Sequence, residues 1–274
     1  MTQLPEISVI ISAYNQPKWL EKVLWSYEFQ TVKNFEVIIA DDGSSEAVQK
    51  VIEQHRTKAS YPITHLWQED KGFRKTVILN KALLAAKAPY VLFTDGDCIA
   101  RADFIATHLK LSADGCFLSG GYFKLSKAIS DDIARQDIAL QSCFDISWLK
   151  ERGLGTTFKN NKLTAKGWKQ RFLNFITPTK ATWDGMNASG WKKDLMAVNG
   201  FDERMQYGGE DRELGERLMN MGIKAKQIRY SAICLHLYHE HAYVTEDMKS
   251  KNNQIRKVTK QRKLIRTAFG IEKL

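Results

Sequence analysis

The stretch Tyr90-Val-Leu-Phe-Thr-Asp-Gly-Asp97 joins an apolar run of strand character directly to two carboxylates that are separated by one glycine. Gly96 has no Cβ, so the side chains of Asp95 and Asp97 can converge on one divalent cation, and oxygen ligands suit Mg²⁺ or Mn²⁺. Two acids around a glycine are also typical of an ordinary solvated turn. The surrounding sequence must therefore decide between a metal site and a turn.

The first half of the chain alternates strand-like and helix-like segments. Apolar runs of strand character cover residues 7–11, 35–40, 63–67 and 90–94, and helices are predicted from Pro17 and over residues 74–87. This alternation predicts an α/β fold with a Rossmann-like, mostly parallel sheet that is flanked by helices. In such sheets, ligands bind at the carboxyl ends of the strands.

A polar cluster follows each of the four predicted strands. The clusters are Tyr14-Asn15, Asp41-Asp42, Gln68-Glu-Asp70 and Asp95-Gly-Asp97. Because the carboxyl ends of parallel strands share one edge of a sheet, we expect the clusters to meet there. Beyond residue 115 the alternation fades. Residues 116–123 predict one more strand, and we interpret residues 124–180 as an insertion of helices and loops that could shape a substrate pocket.

The composition is that of an ordinary globular protein of 274 residues. No apolar run approaches the roughly 20 residues of a membrane span, and the N-terminus lacks the basic and apolar regions of a secretory signal. We therefore expect a cytoplasmic protein. The cysteines, Cys98, Cys116, Cys143 and Cys234, form no C-x-x-C pair, so neither a thiolate zinc site nor a redox motif is predicted.

The net charge of +10 is concentrated near the C-terminus. Residues 249–274 contain nine lysines and arginines and one acid, Glu272. Apolar residues recur among them at helix-compatible spacing, at Ile255, Val258, Ile265 and Phe269. We interpret residues 245–274 as a basic C-terminal helical tail. It could lie on an anionic membrane surface, with about 1 kcal/mol from each basic residue, or it could be a solvated and partly docked helix.

Four sequence elements together resemble those of family 2 glycosyltransferases of the GT-A fold. These are the first strand with its Tyr14-Asn15 ending, Asp41-Asp-Gly-Ser44, Asp95-Gly-Asp97, and Asn199-Gly-Phe-Asp-Glu203 followed by Tyr207-Gly-Gly-Glu-Asp211. The last element is similar to the N-G-F-D-E and W-G-G-E-D elements of galactosyltransferase-like C-terminal regions. The resemblance implies a GT-A domain over residues 1–244, with a nucleotide-binding half (1–114) and an acceptor-binding half (115–244).

For the donor side, the resemblance implies a nucleotide-sugar site that requires Mn²⁺ or Mg²⁺. Tyr14 and Asn15 would begin the nucleotide pocket, Asp41 would accept a hydrogen bond from uracil beside Asp42, and Asp97 would ligate the metal. Asp95, next to Gly96, would support the metal or bind the ribose. Arg74 and Lys75 could offer a fork and a point charge to the diphosphate, although a solvated helix start is an equal alternative.

For the acceptor side, inverting transfer needs a carboxylate that removes the proton of the acceptor hydroxyl. We assign this role to Asp211, with Glu210 binding an acceptor hydroxyl and Gly208 and Gly209 permitting close approach. The alternative is that the two acids simply favour the positive end of a helix. By resemblance, Asn187, Ser189 and Tyr207 would line the acceptor pocket, and Asp rather than Asn at position 211 favours inversion.

Three histidines lie close together, at positions His236, His239 and His241. In a strand, His239 and His241 would share one face and His236 would lie on the other, so a single three-histidine site is not predicted. The resemblance implies that one histidine of this region binds the catalytic metal, and we favour His236 over His239.

The leading hypothesis is a metal-dependent inverting glycosyltransferase. It would move a hexose or N-acetylhexosamine from a UDP-sugar to a saccharide or lipid-linked acceptor in bacterial surface polysaccharide or lipooligosaccharide synthesis, with peripheral contact at the cytoplasmic face of the inner membrane. A sugar nucleotidyltransferase is the first alternative, but Ser12-Ala-Tyr-Asn-Gln16 is not the Gly-rich, basic loop expected there. The second alternative, a nucleic-acid-binding protein, has no recognised motif, and no nucleic-acid partner is expected.

Overall fold

The computed structural model describes residues 4–240 and 245–273. Its strands are β1 (Ile7–Ala13), β2 (Phe35–Asp41), β3 (Ile63–Trp67), β4 (Tyr90–Asp95), β5 (Cys98–Ala100), β6 (Cys116–Ser119), β7 (Gly121–Lys124), β8 (Ala188–Trp191), β9 (Lys224–Gln227) and β10 (Ile233–His236). Seven of these described strands form the main sheet, in the order β3-β2-β1-β4-β8-β6-β9. The four strands predicted from the first half, β1 to β4, pair only in parallel with one another: β1 with β2 and β4, and β2 with β3. Strand β8 is antiparallel to both β4 and β6.

The helices are α1 (Pro17–Glu28), α2 (Glu46–Arg56), α3 (Lys75–Ala85), α4 (Phe104–Leu111), α5 (Lys127–Asp132), α6 (Arg135–Ala139), α7 (Ile146–Glu151), α8 (Asn161–Thr164), α9 (Gly167–Ile176), α10 (Lys192–Ala197), α11 (Glu210–Asn220) and α12 (Glu246–Gln261). They pack on both faces of the main sheet. Val9 and Ile39 belong to the core on one face, and Ile10 and Ile38 to the core on the other. This arrangement follows from the alternation of side chains along strands that are buried on both sides.

A second, small sheet positions part of the site. Its described strands have the order β5-β10-β7, with His236 of β10 opposite Cys98 of β5 and Lys124 of β7. The strand predicted over residues 116–123 is therefore divided between two sheets. It breaks at Gly120, where a Cβ would lie 2.1 Å from the side chain of Asn187, so the chain crosses this point only without a side chain.

The C-terminal region departs from the predicted tail. Helix α12 ends at Gln261, and residues 262–273 form turns that pack against the loop after α10. The side-chain amide of Asn199 donates to the carbonyls of Thr267 and Glu272, and the backbone N–H of Glu272 donates back to it. Ile265 and Phe269 therefore do not continue a helical face, which corrects the prediction. No helix among the described residues is long and apolar enough to cross a membrane.

Candidate functional site

One cavity of about 1250 Å³ opens at the carboxyl ends of β1, β2 and β4 and at the N-terminal end of α11. Most of the predicted site residues line it. They are Tyr14, Asp42, Lys75, Asp95, Gly96, Asp97, Tyr207, Gly208, Gly209, Glu210, Asp211, His236 and His239. The expected meeting of the strand ends at one edge is therefore observed.

Gly96 is required by the packing of its own turn. Its N–H donates to the carbonyl of Ser12 at 2.7 Å, and a Cβ would lie 2.9 Å from the same oxygen. Asp95 accepts hydrogen bonds from the hydroxyl of Ser12 and from Nζ of Lys75 at 2.7 Å. Burial alone would lower the pKa of Lys75, but the carboxylates of Asp95 and Glu210 outweigh it and raise that pKa. Asp95 is thus held in a partly buried ion pair with Lys75.

Asp97, His236 and His239 bring their ligand atoms within 4.8 Å of one another. Oδ2 of Asp97 lies 2.9 Å from Nε2 of His239 and 3.9 Å from Nε2 of His236. The strand β10 ends at His236, so the alternation of faces stops there, and the irregular segment that follows brings His239 to the same cluster. The prediction that these two histidines lie on opposite faces is therefore corrected. His241 lies outside the described residues.

The chemistry of this cluster fits a divalent first-row cation. Burial would raise the pKa of Asp97, but the hydrogen bond from His239 and the nearby charge of His236 lower it, so the carboxylate is kept ionised. One carboxylate oxygen and two imidazole nitrogens suit Mn²⁺ better than Mg²⁺, which prefers oxygen ligands. Asp95 is not part of this cluster among the described residues, so the two acids do not converge in the way the sequence suggested.

The predicted nucleotide residues divide into those that face the cavity and those that shape the turns behind it. Asp42 lies in the cavity wall, accepts hydrogen bonds from Gln68 and from the backbone of Arg74, and has its pKa raised by burial. Tyr14 also lines the cavity and donates its hydroxyl to Asp70 at 2.9 Å.

Asp41, Asn15 and Arg74 are not among the described residues that line the cavity, contrary to their predicted roles. Asp41 is 1% exposed and accepts from the backbone of Ser44 and from Nε2 of His65, so it holds the turn that presents Asp42. Asn15 bonds the same turn through Ser44, and Arg74 precedes α3.

The acids predicted for the acceptor side stand at the first turn of α11. Gly208 and Gly209 have φ of 104° and 88°, a conformation that L side chains rarely adopt, and this turn aims Glu210 and Asp211 into the cavity. Asp211 accepts a hydrogen bond from the N–H of Gly185 at 3.1 Å. Burial and the neighbouring Asp211 raise the pKa of Glu210 to about 7.

Asn187 and Ser189 do not reach the cavity, so the prediction that they line the acceptor pocket is corrected. Both side chains are fully buried. Asn187 donates to the carbonyls of Gly121 and Ala232, and Ser189 shares hydrogen bonds with Tyr90 and with His108. These small polar residues tie β8 to its neighbours.

Helix α12 holds the loop that leads into α11. The fully buried side chain of Asn252 donates to the carbonyls of Gln206 and Gly208, and it accepts from the N–H of Gln206. Arg256 on the next turn pairs with Glu216 of α11 at 2.5 Å. Part of the basic C-terminal region therefore belongs to the wall of the site.

Several cavity residues were missed by the sequence analysis. Asp184 lines the cavity, and burial together with Asp211 raises its pKa to about 7. Four cationic residues also line it, from residues 124–180 and from the loop between β9 and β10, namely Lys124, Lys159, Lys162 and Arg229. None lies in a recognisable motif, and only the prediction that residues 124–180 shape a pocket pointed to this region.

The profile of glycosyl transferase family 2 matches residues 8–161, which is more than half of the chain. The chain belongs to this family. A second profile, described as the N-terminal domain of galactosyltransferase, matches residues 178–240. This range includes the loop before α11 and both His236 and His239. The predicted family and its galactosyltransferase-like C-terminal region are thus confirmed.

Curated relatives of this family 2 chain are much longer than it is. Chondroitin synthase of Escherichia coli is 29% identical over 235 residues, which cover 81% of this chain and 33% of the relative. Validoxylamine A glucosyltransferase of Streptomyces hygroscopicus subsp. jinggangensis is 27% identical over 238 residues, covering 81% and 53% respectively. The chain therefore spans between a third and about half of their length.

Solved structures confirm the GT-A fold. TarS 1–349 of S. aureus in complex with UDP-GlcNAc has a TM-score of 0.62 at 18% identity, over 94% of this chain and 69% of that one. GalNAc-T7 with UDP, GalNAc and Mn²⁺ has a TM-score of 0.63 at 14% identity, over 94% and 48%. At these identities the likeness concerns the fold.

Proposed function

We propose that this protein is a metal-dependent inverting glycosyltransferase. It would transfer a hexose or N-acetylhexosamine from a UDP-sugar to a saccharide or lipid-linked saccharide acceptor. The observation that carries the proposal is that Asp211 and the cluster of Asp97, His236 and His239 line the same cavity. A leaving-group site and a base are thereby available to one substrate.

On the donor side, Tyr14 and Asp42, which line the cavity, would receive the nucleoside, and Asp97 with the two histidines would hold Mn²⁺. The bound cation would supply Lewis-acid stabilisation of the departing diphosphate. Lys75 keeps Asp95 oriented through their ion pair, so that Asp95 can accept a hydrogen bond from the ribose. Solved relatives that bind UDP-GlcNAc or UDP support the choice of nucleotide.

On the acceptor side, Asp211 would remove the proton of the attacking hydroxyl while the bond from the sugar to the diphosphate breaks. Two backbone N–H groups, of Gly185 and Arg212, hold its carboxylate in place. Glu210 accepts from the N–H of Gly208, lies beside Asp211 and would orient an acceptor hydroxyl. Attack on the face opposite the leaving group gives a β-linked product from an α-linked donor.

Membership of family 2 favours sugar transfer over nucleotidyl transfer. It also disfavours the nucleic-acid alternative, whose only support is the basic charge of the C-terminal region. Relatives such as chondroitin synthase support a role in polysaccharide synthesis.

The test is a survey of UDP-sugars against saccharide acceptors, with UDP release measured in the presence of Mn²⁺ or EDTA. We expect Mn²⁺-dependent release that requires an acceptor, and a β-linkage in the product by NMR. An α-linked product would contradict inversion, and release that is unaffected by EDTA would contradict the metal requirement.

We further propose that the outer surface of α12 and of residues 262–273 contacts an anionic membrane surface. Val258, Ile265 and Phe269 are 41%, 45% and 44% exposed among the basic side chains of this region. Such a surface can bind acidic lipids without insertion of a helix. Membrane contact would bring the site to a lipid-linked acceptor.

A further inference from the structure

Three cationic side chains are gathered on the wall of the cavity beside the metal cluster. Lys124 and Lys162 place their Nζ atoms 5.7 and 5.4 Å from the centroid of the Tyr122 ring, and the stem of Arg229 lies against Gly121. A Cβ at Gly121 would come within 2.6 Å of Cγ of Arg229, so this close packing needs glycine. The Tyr122 ring is 5.5 Å from the ring of His236.

The positive charge of this group is not balanced by the protein. Within residues 4–240 and 245–273, no carboxylate forms a salt bridge with Lys124, Lys162 or Arg229. Nε of Arg229 is buried and has no hydrogen-bond partner in that same part of the chain. Asp184 acts on Lys162 electrostatically across the cavity but does not pair with it.

The lowered pKa of Lys162 also reflects burial and positive charge, which the carboxylate of Asp184 only partly offsets. Burial and the charges of Arg229 and Lys159 lower the pKa of Lys162 to about 8, and its Nζ donates to the carbonyl of Tyr122. Holding Lys162 and Arg229, which pair with no carboxylate among the described residues, together in a partly buried wall is costly. An anionic ligand would remove this cost.

The position of the group indicates which part of a substrate it meets. Lys124 is on β7, and β10 separates β7 from β5, which follows Asp97. Tyr14 and Asp42, proposed to bind the nucleoside, follow β1 and β2 of the main sheet, whereas Lys124 belongs to the second sheet. Because Lys124 follows the Tyr122 ring that contacts His236, and not the strands that carry Tyr14 and Asp42, we infer that the cations meet the sugar and not the nucleoside.

We propose that Lys124, Lys162 and Arg229 form a subsite for an acidic sugar, one that carries a carboxylate substituent on either the donor or the acceptor. The proposal rests on the proposed function, since it specifies a substrate of the same cavity. Arg229 supplies a planar fork for the oxyanion, and the two lysines supply point charges.

The experiment is titration calorimetry with matched acidic and neutral ligands. The donor arm compares UDP-glucuronate with UDP-glucose in Mn²⁺. The acceptor arm compares a disaccharide ending in glucuronate with one ending in glucose, with UDP and Mn²⁺ present. We expect the acidic member to bind at least about tenfold more tightly in one arm, and the arm identifies which substrate carries the charge.

Lys162→Met and Lys124→Met should each reduce the ratio of acidic to neutral ligand affinity, while UDP affinity stays within about twofold. Lys124 is exposed, so its substitution leaves the core untouched. Lys169→Met, an exposed lysine of α9 outside the cavity, is the matched control and should change nothing. Arg229→Lys should retain only part of the preference, because it keeps the charge and loses the fork.

Two results would overturn the subsite. One is equal affinity for the acidic and neutral members in both arms while UDP binds. The other is a loss of affinity for UDP itself in the lysine variants, which would assign the cations to the diphosphate. If UDP does not bind at all, the proposed function fails separately, and the disaccharide pair measured without nucleotide still decides the subsite.

Discussion

Asp211 is the proposed base that removes the proton of the acceptor hydroxyl, so its substitution should affect turnover and not donor binding. Asp211→Asn should lower kcat by at least about a hundredfold, because the base is lost, while UDP-sugar affinity is retained. Asparagine can still accept the hydrogen bond from the N–H of Gly185 through its carbonyl oxygen. Steady-state kinetics and calorimetry on the same preparation measure both quantities.

Asp247→Asn, on the exposed first turn of α12, is the matched control and should turn over normally. Near-normal kcat for Asp211→Asn would remove Asp211 from the role of base. Loss of donor affinity with unchanged kcat would instead make it a binding residue.

The raised pKa of Asp184 makes the free energy of unfolding depend on pH. Its pKa is raised to about 7 by burial and by Asp211, whereas an unfolded chain gives a carboxyl its ordinary value near 4. Between about pH 4 and 7 the folded protein therefore binds more protons than the unfolded one, and this contribution makes stability fall as the pH rises. Above about pH 7 the full penalty is present.

Asp184→Asn removes that penalty. In EDTA, we expect the variant to be more stable than the wild type at pH 8, by up to about 4 kcal/mol, and to match it near pH 4. Denaturant unfolding at the two pH values measures the difference. A stability gain that is the same at both pH values would show that ionisation of Asp184 is not its cause.

Local sequence motifs predicted several of the residues that line the cavity. Asp97, Glu210 and Asp211 were found because a strand end or a glycine pair marks them. Asp184 and Arg229 were not, because nothing in their immediate sequence signals burial beside a second charge. Asp41 was misplaced for a related reason: adjacent acids look alike in sequence, and only the turn decides which one faces the cavity.

Helix α12 acts on the site through its buried face. Asn252 makes three hydrogen bonds with Gln206 and Gly208, directly before the acids of α11. Asn252→Ala should destabilise the fold by about 1–3 kcal/mol, since backbone groups lose their partners. It should also lower kcat more than it raises KM, because the acids lose their fixed position.

Gln254→Ala is the matched control for this prediction, since it removes an exposed amide from the same helix. Asn252→Asp should not rescue the activity, because a carboxylate cannot donate to the carbonyls of Gln206 and Gly208. Unfolding in denaturant and steady-state kinetics are both needed. A variant that is destabilised but has normal kcat would leave Asn252 with a purely structural role.

At the level of helices and strands, periodicity predicted the first half well. The predicted strand over residues 63–67 matches β3, and the others end within two residues of the observed ends. The packed face of the C-terminal helix was not predicted. Its buried positions are the polar Asn252 and Thr259, which hydrogen-bond to the body, so the apolar pattern did not reveal the docked face.

The molecule as a whole combines a family 2 domain with an uneven charge distribution. If the basic C-terminal region contacts membranes, the protein should sediment with phosphatidylglycerol vesicles and not with phosphatidylcholine vesicles at low salt. Changing Lys257, Arg262 and Lys263 to Glu should lower vesicle affinity by at least about a hundredfold. These three side chains are exposed, so the fold should be unaffected.

Salt dependence and a second charge-reversal variant test whether vesicle binding is electrostatic and specific to the C-terminal region. Binding should weaken as salt is raised, because the charges are screened. The same charge reversal at Lys33, Lys58 and Lys110, which lie far from α12 in sequence, should have a smaller effect. Equal sedimentation with anionic and neutral vesicles would contradict a membrane role for the C-terminal region.

The most direct test of the whole account is titration calorimetry with UDP, in Mn²⁺ and in EDTA, on the wild type and on Asp97→Ala, His236→Ala and His239→Ala. The account predicts UDP binding that is strong in Mn²⁺, is lost in EDTA and is weakened at least about tenfold in each variant. His55→Ala, outside the cavity, should behave as the wild type. UDP affinity that is the same with and without Mn²⁺, or no UDP binding under either condition, would contradict it.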